Sequence, residues 1–265
     1  MDFLSEIMAL KRARNELASV NRPMEALRAD AEAARGNSMP HALRHALKRS
    51  DRLNVIAEFK RASPSKGAIR EDADPSKVSK SYEAGGAAAV SVLTEEDRFR
   101  GSLDDLREIR AAITIPVLRK DFIFDDYQIY ETAAAGADAL LLIVAALDDE
   151  ALARLRVLAE DKLEMDALVE VHNADEVRRA TAAGATLIGV NNRDLRSFEV
   201  SLAVSVRLGP LAPKTSTLIA ESGLSSREDL ERLRACGYQG FLIGETLMRA
   251  ADPAQALRRL IHGSV

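Results

Sequence analysis

From Leu53 onward, short apolar runs alternate with longer stretches in which apolar residues recur every three or four positions. The runs at 53–59, 88–93, 115–119, 138–144, 166–171, 186–190, 217–221 and 239–243 predict eight strands. The stretches at 75–84, 102–112, 125–135, 148–161, 173–183, 201–208 and 225–236 predict the helices between them. Runs such as ALLLIV are apolar at nearly every position, as expected of parallel strands buried on both faces. Strict strand–helix alternation points to βαβ units and an α/β fold.

Within that alternation lies a repeat. EAGGAAAVSVL, AAAGADALLLIV, TAAGATLIGV and RACGYQGFLIG each join a helix end, a glycine able to take positive φ and the next even-numbered strand. Four copies of a two-strand unit close into eight strands, which predicts a single (β/α)8 TIM barrel. A doubly wound open sheet is the alternative, but it has no need of fourfold regularity. The odd-numbered strands end in ionisable residues: IAEFK in Glu58 and Lys60, VLRKD in Lys120, LVEVH in Glu170 and LIAES in Glu221. A barrel gathers its strand ends at one mouth, so these residues are expected around one ligand.

Residues 1 to about 50 read as helices. Leu4, Ile7, Met8 and Leu10 are expected to share a face, followed by Met24 to Ala34 and, after the break at Gly36 to Pro40, by His41 to Lys48. The expected organisation is an N-terminal helical extension over 1–50, packed on a catalytic barrel over 51–265. The extension suits a lid or a plug, or only a solvated support. Asp2 and Glu6 stand where a secretion signal carries positive charge, and no run reaches the roughly 20 apolar residues of a membrane span.

Composition narrows the function. The chain has 265 residues, 47% of them apolar, enough for one large core. A formal charge of -4 and a pI near 5.7 provide no global basic field for nucleic acid or an anionic membrane, so any anion must meet a local site. Cys236 is the single cysteine, which excludes an intrachain disulfide framework and suits a cytoplasmic setting.

Strand alternation puts Glu58 and Lys60 on one side, inward near the mouth, where unpaired charge is expensive. The loop after them, with Ser63, Pro64, Ser65, Lys66 and Gly67, is small and polar enough to wrap an anion or to be plain surface. Lys120 at a strand end can bind an anion, act as a general acid or form a Schiff base. Glu170, set among apolar neighbours, suits acid or base work. Asn191 supplies a neutral hydrogen bond at the end of strand six, with Asn192 and Arg193 just beyond. His172 is a lone histidine with no second His or Cys at metal-ligand spacing, and it is assigned no role. AESG (Ala220 to Gly223) and LIGE (Leu242 to Glu245) end strands seven and eight, the pair whose loops commonly bind phosphate in barrels. Gly223 and Gly244 allow close backbone approach, and TLMRA can open a short helix beyond Gly244.

IAEFKRASPSKG, SVLTEEDRFRGS, VLRKDFI, LLLIV, LVEVH, GVNNRDL, AESGL and FLIGETLM together resemble the indole-3-glycerol phosphate synthase family of tryptophan biosynthesis, over essentially the whole chain. The resemblance implies a decarboxylating, dehydrating ring closure of 1-(2-carboxyphenylamino)-1-deoxyribulose 5-phosphate to indole-3-glycerol phosphate, with no cofactor and no metal. It implies that Lys120 donates to the substrate ketone, that Lys60 holds the anthranilate carboxylate and that Glu170 serves as acid or base. Which of the three performs each proton transfer stays open. Glu58, Asn191 and Ser222 complete the catalytic ring, and Arg193 and Glu221 join Ser63 as substrate contacts. Phe99, Phe122, Leu141 and Leu195 form an apolar wall for the ring. Phosphate falls to Ser63, Ser222, Gly223, Gly244 and the amide of Glu245. Glu245 replaces the small serine of other members, and its carboxylate is expected to turn away from the dianion.

The expected partner is a phosphorylated small molecule, with neither nucleic acid nor membrane. A monomer is expected, and association with other tryptophan-pathway enzymes is not readable from the chain. Two rival readings share the anion site: a Schiff-base aldolase barrel using Lys120, and a sugar-phosphate-binding barrel without catalysis.

Overall fold

The computed structural model describes residues 3–263. Eight parallel strands close into a barrel: β1 Asn54–Phe59, β2 Ala89–Leu93, β3 Val117–Lys120, β4 Ala139–Ile143, β5 Asp166–Val171, β6 Leu187–Asn191, β7 Thr217–Glu221 and β8 Gly240–Ile243. The eight apolar runs of the sequence are these strands to within two residues, and the open-sheet alternative falls because β1 pairs with β8. The glycine of each repeat has positive φ: 92° at Gly86, 84° at Gly136, 78° at Gly184 and 96° at Gly237. Each lets a helix stop and turn into an even-numbered strand without a Cβ clash.

The helices between strands start on side-chain caps, except Ala203–Leu208 after β6. Asp74 accepts from the Lys77 amide ahead of Pro75–Ala84, with Pro75 in the first turn. Asp125 with Gln128, and Ser226 with Asp229, form capping boxes for Asp126–Ala134 and Arg227–Ala235. The predicted helix at 148–161 is an α-helix only over Asp149–Val157 and continues as a wider π turn to Lys162. Two elements had no counterpart in the sequence pattern. A small ribbon pairs Ala62–Ser63 with Gly67–Ala68 inside the loop after β1, and a last helix runs over Pro253–His262.

Pleat alternation splits the core. One set of side chains, including Val55, Ala57, Val90 and Val169, packs between strands and helices. The other set fills the barrel, with Ile56, Leu118, Leu168 and Ile219 on the four odd strands. Two residues further along each of those strands stand Glu58, Lys120, Glu170 and Glu221. The ionisable tier thus rests directly on an apolar one.

The N-terminal helices are α1 Phe3–Asn21, α2 Met24–Arg35 and α3 Ala42–Ala46; Asp2 lies outside the described residues. Leu43 and Leu47 enter the barrel-filling cluster, and the Arg44 amide donates to Asp166 at the first residue of β5, so α3 plugs the floor. Ile7 and Met8 join the same cluster beside Phe122 at the opposite end, so α1 covers part of the mouth. One expectation fails here. Leu10 is 37% exposed, and Lys11 takes the buried place instead. Its ammonium lies 3.0 Å from Asp121 and 3.0 Å from Glu96, a bridge between two carboxylates that an apolar residue could not make.

Candidate active site

The mouth holds a cavity of roughly 690 Å³, within the usual size for a small-molecule site. Glu58, Lys60, Lys120, Glu170, Asn191, Glu221 and Ser222 line its polar part, together with Ser63 and Arg193 from the loops. Phe99, Phe122, Leu141 and Leu195 line its apolar part, and Gly223, Gly244 and Glu245 its far rim. Every residue expected at the site from sequence therefore borders one space.

The floor is a charge lattice. Lys60 Nζ lies 2.8 Å from Glu58 Oε1, and Lys120 Nζ lies 3.3 Å from Glu170 Oε2 and 3.5 Å from Glu221 Oε2. Burial alone would drive the Lys120 ammonium towards neutrality, but Glu170, Glu221 and Glu58 reverse this and raise its pKa above the ordinary lysine value. Lys120 is therefore charged in the unliganded site. Burial would likewise raise Glu170, yet Lys120 and His172 hold it well below the usual carboxylate range. Glu221 goes the other way. Burial pushes it up to about 8, a rise that Lys120 opposes and that the neighbouring Glu170 and Glu58 reinforce. Two buried carboxylates that share Lys120 thus differ in proton affinity because only one of them has a cation on each side.

Room for these buried carboxylates comes from glycines on the neighbouring strands. A Cβ on Gly189 would fall 2.0 Å from Glu221 Oε1, and one on Gly244 would fall 2.7 Å from Glu58 Oε1. From sequence, Gly244 was assigned to phosphate alone and Gly189 was not singled out.

Behind Lys120 the segment is locked from outside the barrel. Arg119, 2% exposed, donates to Thr94, Thr132 and Asp121 and pairs with Glu131 at 2.9 Å. Asp121 also accepts from Thr94 at 2.7 Å and from Lys11 at 3.0 Å. Burial would raise its pKa, but Lys11 and Arg119 bring it down to about 2. The loop after β3 is therefore tied to α1 through a buried, fully paired carboxylate.

At the rim, Ser222 and Gly223 have φ of 65° and 78°, so the chain turns sharply out of β7. Gly244 leads into Glu245–Met248, a single helical turn. The Glu245 carboxylate accepts from Arg249 Nε at 3.1 Å. Its charge is thus answered by a cation one turn on. Arg193 Nη1 donates to the Phe198 carbonyl at 3.1 Å and to Ser65 Oγ at 3.4 Å, linking the loops after β6 and β1.

Three residues of the site were not foreseen. Phe3 of α1 stands 6.5 Å from Phe122 and 5.4 Å from Phe198, ring centre to ring centre, and extends the aromatic wall. Arg249 carries a formal charge at the rim but lies one turn beyond the motif. His172, assigned no role, lies 3.2 Å from Glu170. The signal for His172 was its two-residue spacing from Glu170; for Phe3 it was an apolar position at the open end of an amphipathic helix.

The family model described as indole-3-glycerol phosphate synthase matches residues 4–260. A relative so named from Carboxydothermus hydrogenoformans is 46% identical over 263 residues, covering 98% of this chain and 99% of its own length. Another of that name from Chromobacterium violaceum is 48% identical, covering 98% of this chain and 97% of its own. Among solved structures, thiamine phosphate pyrophosphorylase from Pyrococcus furiosus superposes with a TM-score of 0.60 at 16% identity, over 78% of this chain and 93% of that one, a likeness of fold alone.

Proposed function

The chain belongs to the indole-3-glycerol phosphate synthase family, and from that premise we propose how the residues of its barrel mouth divide the reaction. The enzyme is a carboxy-lyase of tryptophan biosynthesis. It converts 1-(2-carboxyphenylamino)-1-deoxyribulose 5-phosphate to indole-3-glycerol phosphate, carbon dioxide and water.

Ring closure joins the carboxylate-bearing ring carbon to the ketone carbon, and the ketone oxygen must gain a proton as that bond forms. Lys120 donates it. The observation that carries this assignment is the Lys120 ammonium held charged at the cavity floor by carboxylates 3.3 and 3.5 Å away. Lys60 holds the anthranilate carboxylate until it departs as carbon dioxide, leaving its bonding electrons to restore the ring. Lys60 then protonates the departing hydroxyl, with Glu58 aiming it. Glu170 accepts the proton released by the substrate during dehydration. Asn191 and Ser222 complete the polar ring, while Arg193 and Glu221 contact the ribulose chain. Phe99, Phe122, Leu141 and Leu195 exclude water from the aromatic ring. Ser63, Ser222, Gly223, Gly244 and the Glu245 amide hold the phosphate, opposite the reacting carbons.

A Schiff-base aldolase would need Lys120 as a free amine, and three carboxylates favour its ammonium instead. No metal and no cofactor enters the scheme. We place the enzyme in the cytoplasm as a monomer acting on a small phosphorylated substrate; among the described residues no helix is long and apolar enough to cross a membrane. Adding the carboxyphenylamino deoxyribulose phosphate and following indole fluorescence tests the assignment against a quiet background, since the chain contains no Trp. Absence of an indole signal, or borohydride trapping of Lys120 with a keto-phosphate, would sink it.

A further inference from the structure

His172 is the first residue after β5 and stands outside the cavity wall, behind Glu170. Its ring, with 13% of the side chain exposed, is bracketed by two carboxylates. Nε2 lies 3.2 Å from Glu170 Oε1, and Nδ1 lies 3.1 Å from Glu176 Oε2. Glu176 is itself fixed. Its Oε2 accepts the His172 backbone amide at 2.7 Å, its Oε1 accepts from Asn173 Nδ2 at 2.6 Å, and Asn173 caps the helix Ala174–Ala182 that carries it.

A neutral imidazole has one N–H and one lone pair, so it would turn a lone pair towards one of these carboxylates. Only the imidazolium carries a proton on both nitrogens, hydrogen-bonded to Glu176 at Nδ1 and in an ion pair outside hydrogen-bond geometry with Glu170 at Nε2. Glu170 in turn meets a cation on each side, His172 at Oε1 and Lys120 at Oε2.

We propose that His172, kept as an imidazolium by Glu176, is the positioning residue for Glu170: it occupies Oε1, leaves Oε2 turned to Lys120 and delivers Glu170 to the reaction as a carboxylate base rather than an acid. The inference rests on the proposed role of Glu170 in taking a proton from the substrate. The charged and titratable groups around the pair come from each element: Lys120 on β3, Glu221 on β7 and Glu176 on the helix after β5, with the neutral Asn191 on β6 beside Glu170. Burial alone would lower the His172 pKa, but Glu170 and Glu176 overcome it and raise it to about 10.

The test uses the full-length enzyme. The chain has 4 histidines, so its ring nitrogens can be followed individually by NMR, with His172→Gln supplying the assignment. The expected result is that the His172 ring stays doubly protonated to at least pH 8 and that Glu176→Gln lowers its midpoint by about one unit or more. His172→Gln should lower kcat about ten- to a hundredfold, the range of outer-shell partners, with KM within about threefold. A His172 ring titrating near its ordinary value, or a His172→Gln kcat within about twofold of the parent, overturns the inference. Should His172→Gln fail to fold, Glu176→Gln decides. A lowered midpoint with a lowered kcat supports positioning, and a lowered midpoint with unchanged kcat refutes it. Glu170→Gln separates the two levels. Near-parental activity there refutes the role of Glu170 itself, whereas its loss alongside an unaffected His172→Gln refutes only the histidine.

Discussion

Gly244 and Glu58 share one volume at the barrel mouth: a Cβ on Gly244 would stand 2.7 Å from Glu58 Oε1, the oxygen that accepts from Lys60. Glycine at this place therefore serves two neighbours, the buried carboxylate on β1 and the turn that leads to Glu245.

That double use predicts the outcome of Gly244→Ala. The methyl group must displace the Glu58 carboxylate or the backbone of β8, and either shift loosens the Glu58–Lys60 pair while pulling the rim amide away from phosphate. We expect kcat to fall at least about tenfold and KM to rise together, unlike a pure binding change. Overpacking a filled core costs about 1–3 kcal/mol, so the urea midpoint should drop as well. Gly189→Ala, whose Cβ would be only 2.0 Å from Glu221 Oε1, should be the less stable of the two variants. The reverse order of stability would show that the Glu221 side of the barrel yields more easily than the geometry implies.

Lys120→Ala removes the proton donor and leaves Glu170 and Glu221 facing each other without their shared cation. General acid catalysis contributes typically ~10² to 10⁴, so kcat should fall about a hundredfold or more. Affinity for inorganic phosphate, bound at the opposite rim, should change little. A Lys120→Ala enzyme with parental kcat removes this lysine from the chemistry.

The sign of the pH response follows from four buried groups in the unliganded enzyme. Asp121 and Glu170 have folded pKa values below their unfolded ones, Asp121 at about 2. Their stabilisation is present above the ordinary carboxylate range and is lost as pH falls through the folded values. Glu221, raised to about 8, and His172, raised to about 10, act in the opposite sense. Their stabilisation is full below the unfolded values, near 4.5 and 6.5, and is lost as pH rises through the folded ones. Stability against urea should therefore decline from mildly acid towards alkaline pH, and Glu221→Gln should flatten the part of that decline between about 4.5 and 8. A Glu221→Gln curve parallel to the parent's would mean that this carboxyl group ionises freely in the folded state.

How far the sequence spoke depended on the range of the interaction. The barrel was legible because the period is local and repeated: Gly86, Gly136, Gly184 and Gly237 each mark the same turn, and strands such as Ala139–Ile143 are continuous apolar runs. Lys120, Glu170 and Glu221 were legible because a charge that ends a buried apolar run is costly to keep unless a ligand or a counter-charge meets it there. The small ribbon at 62–68 was not, since its strands span two residues each and leave no period. Lys11 was not singled out, and Leu10 was placed on the buried face instead, for a physical reason. Lys11 occupies an apolar-phase position of α1, and only the fold brings Asp121, 110 residues away, to neutralise it. Gly189 had no local signal at all, because what excludes a side chain there is Glu221, on the neighbouring strand.

Glu245 and Arg249 form an exposed pair beside the phosphate rim, at 3.1 Å. A carboxylate near a dianion weakens binding unless its charge is answered, and Arg249 answers it. Arg249→Ala should thus raise KM about fivefold, close to the roughly 1 kcal/mol that an exposed ion pair can carry. Glu245→Ser removes the like charge and frees the guanidinium, so KM should fall or hold. Combining the two should give a KM below that of Arg249→Ala alone, since the alanine variant suffers chiefly from the unanswered carboxylate. Each shift should shrink as salt is raised, because both side chains are partly open to solvent and screened. Steady-state kinetics of the three variants at low and high salt measure the coupling directly; strictly additive effects would mean that Arg249 acts on the phosphate without reference to Glu245.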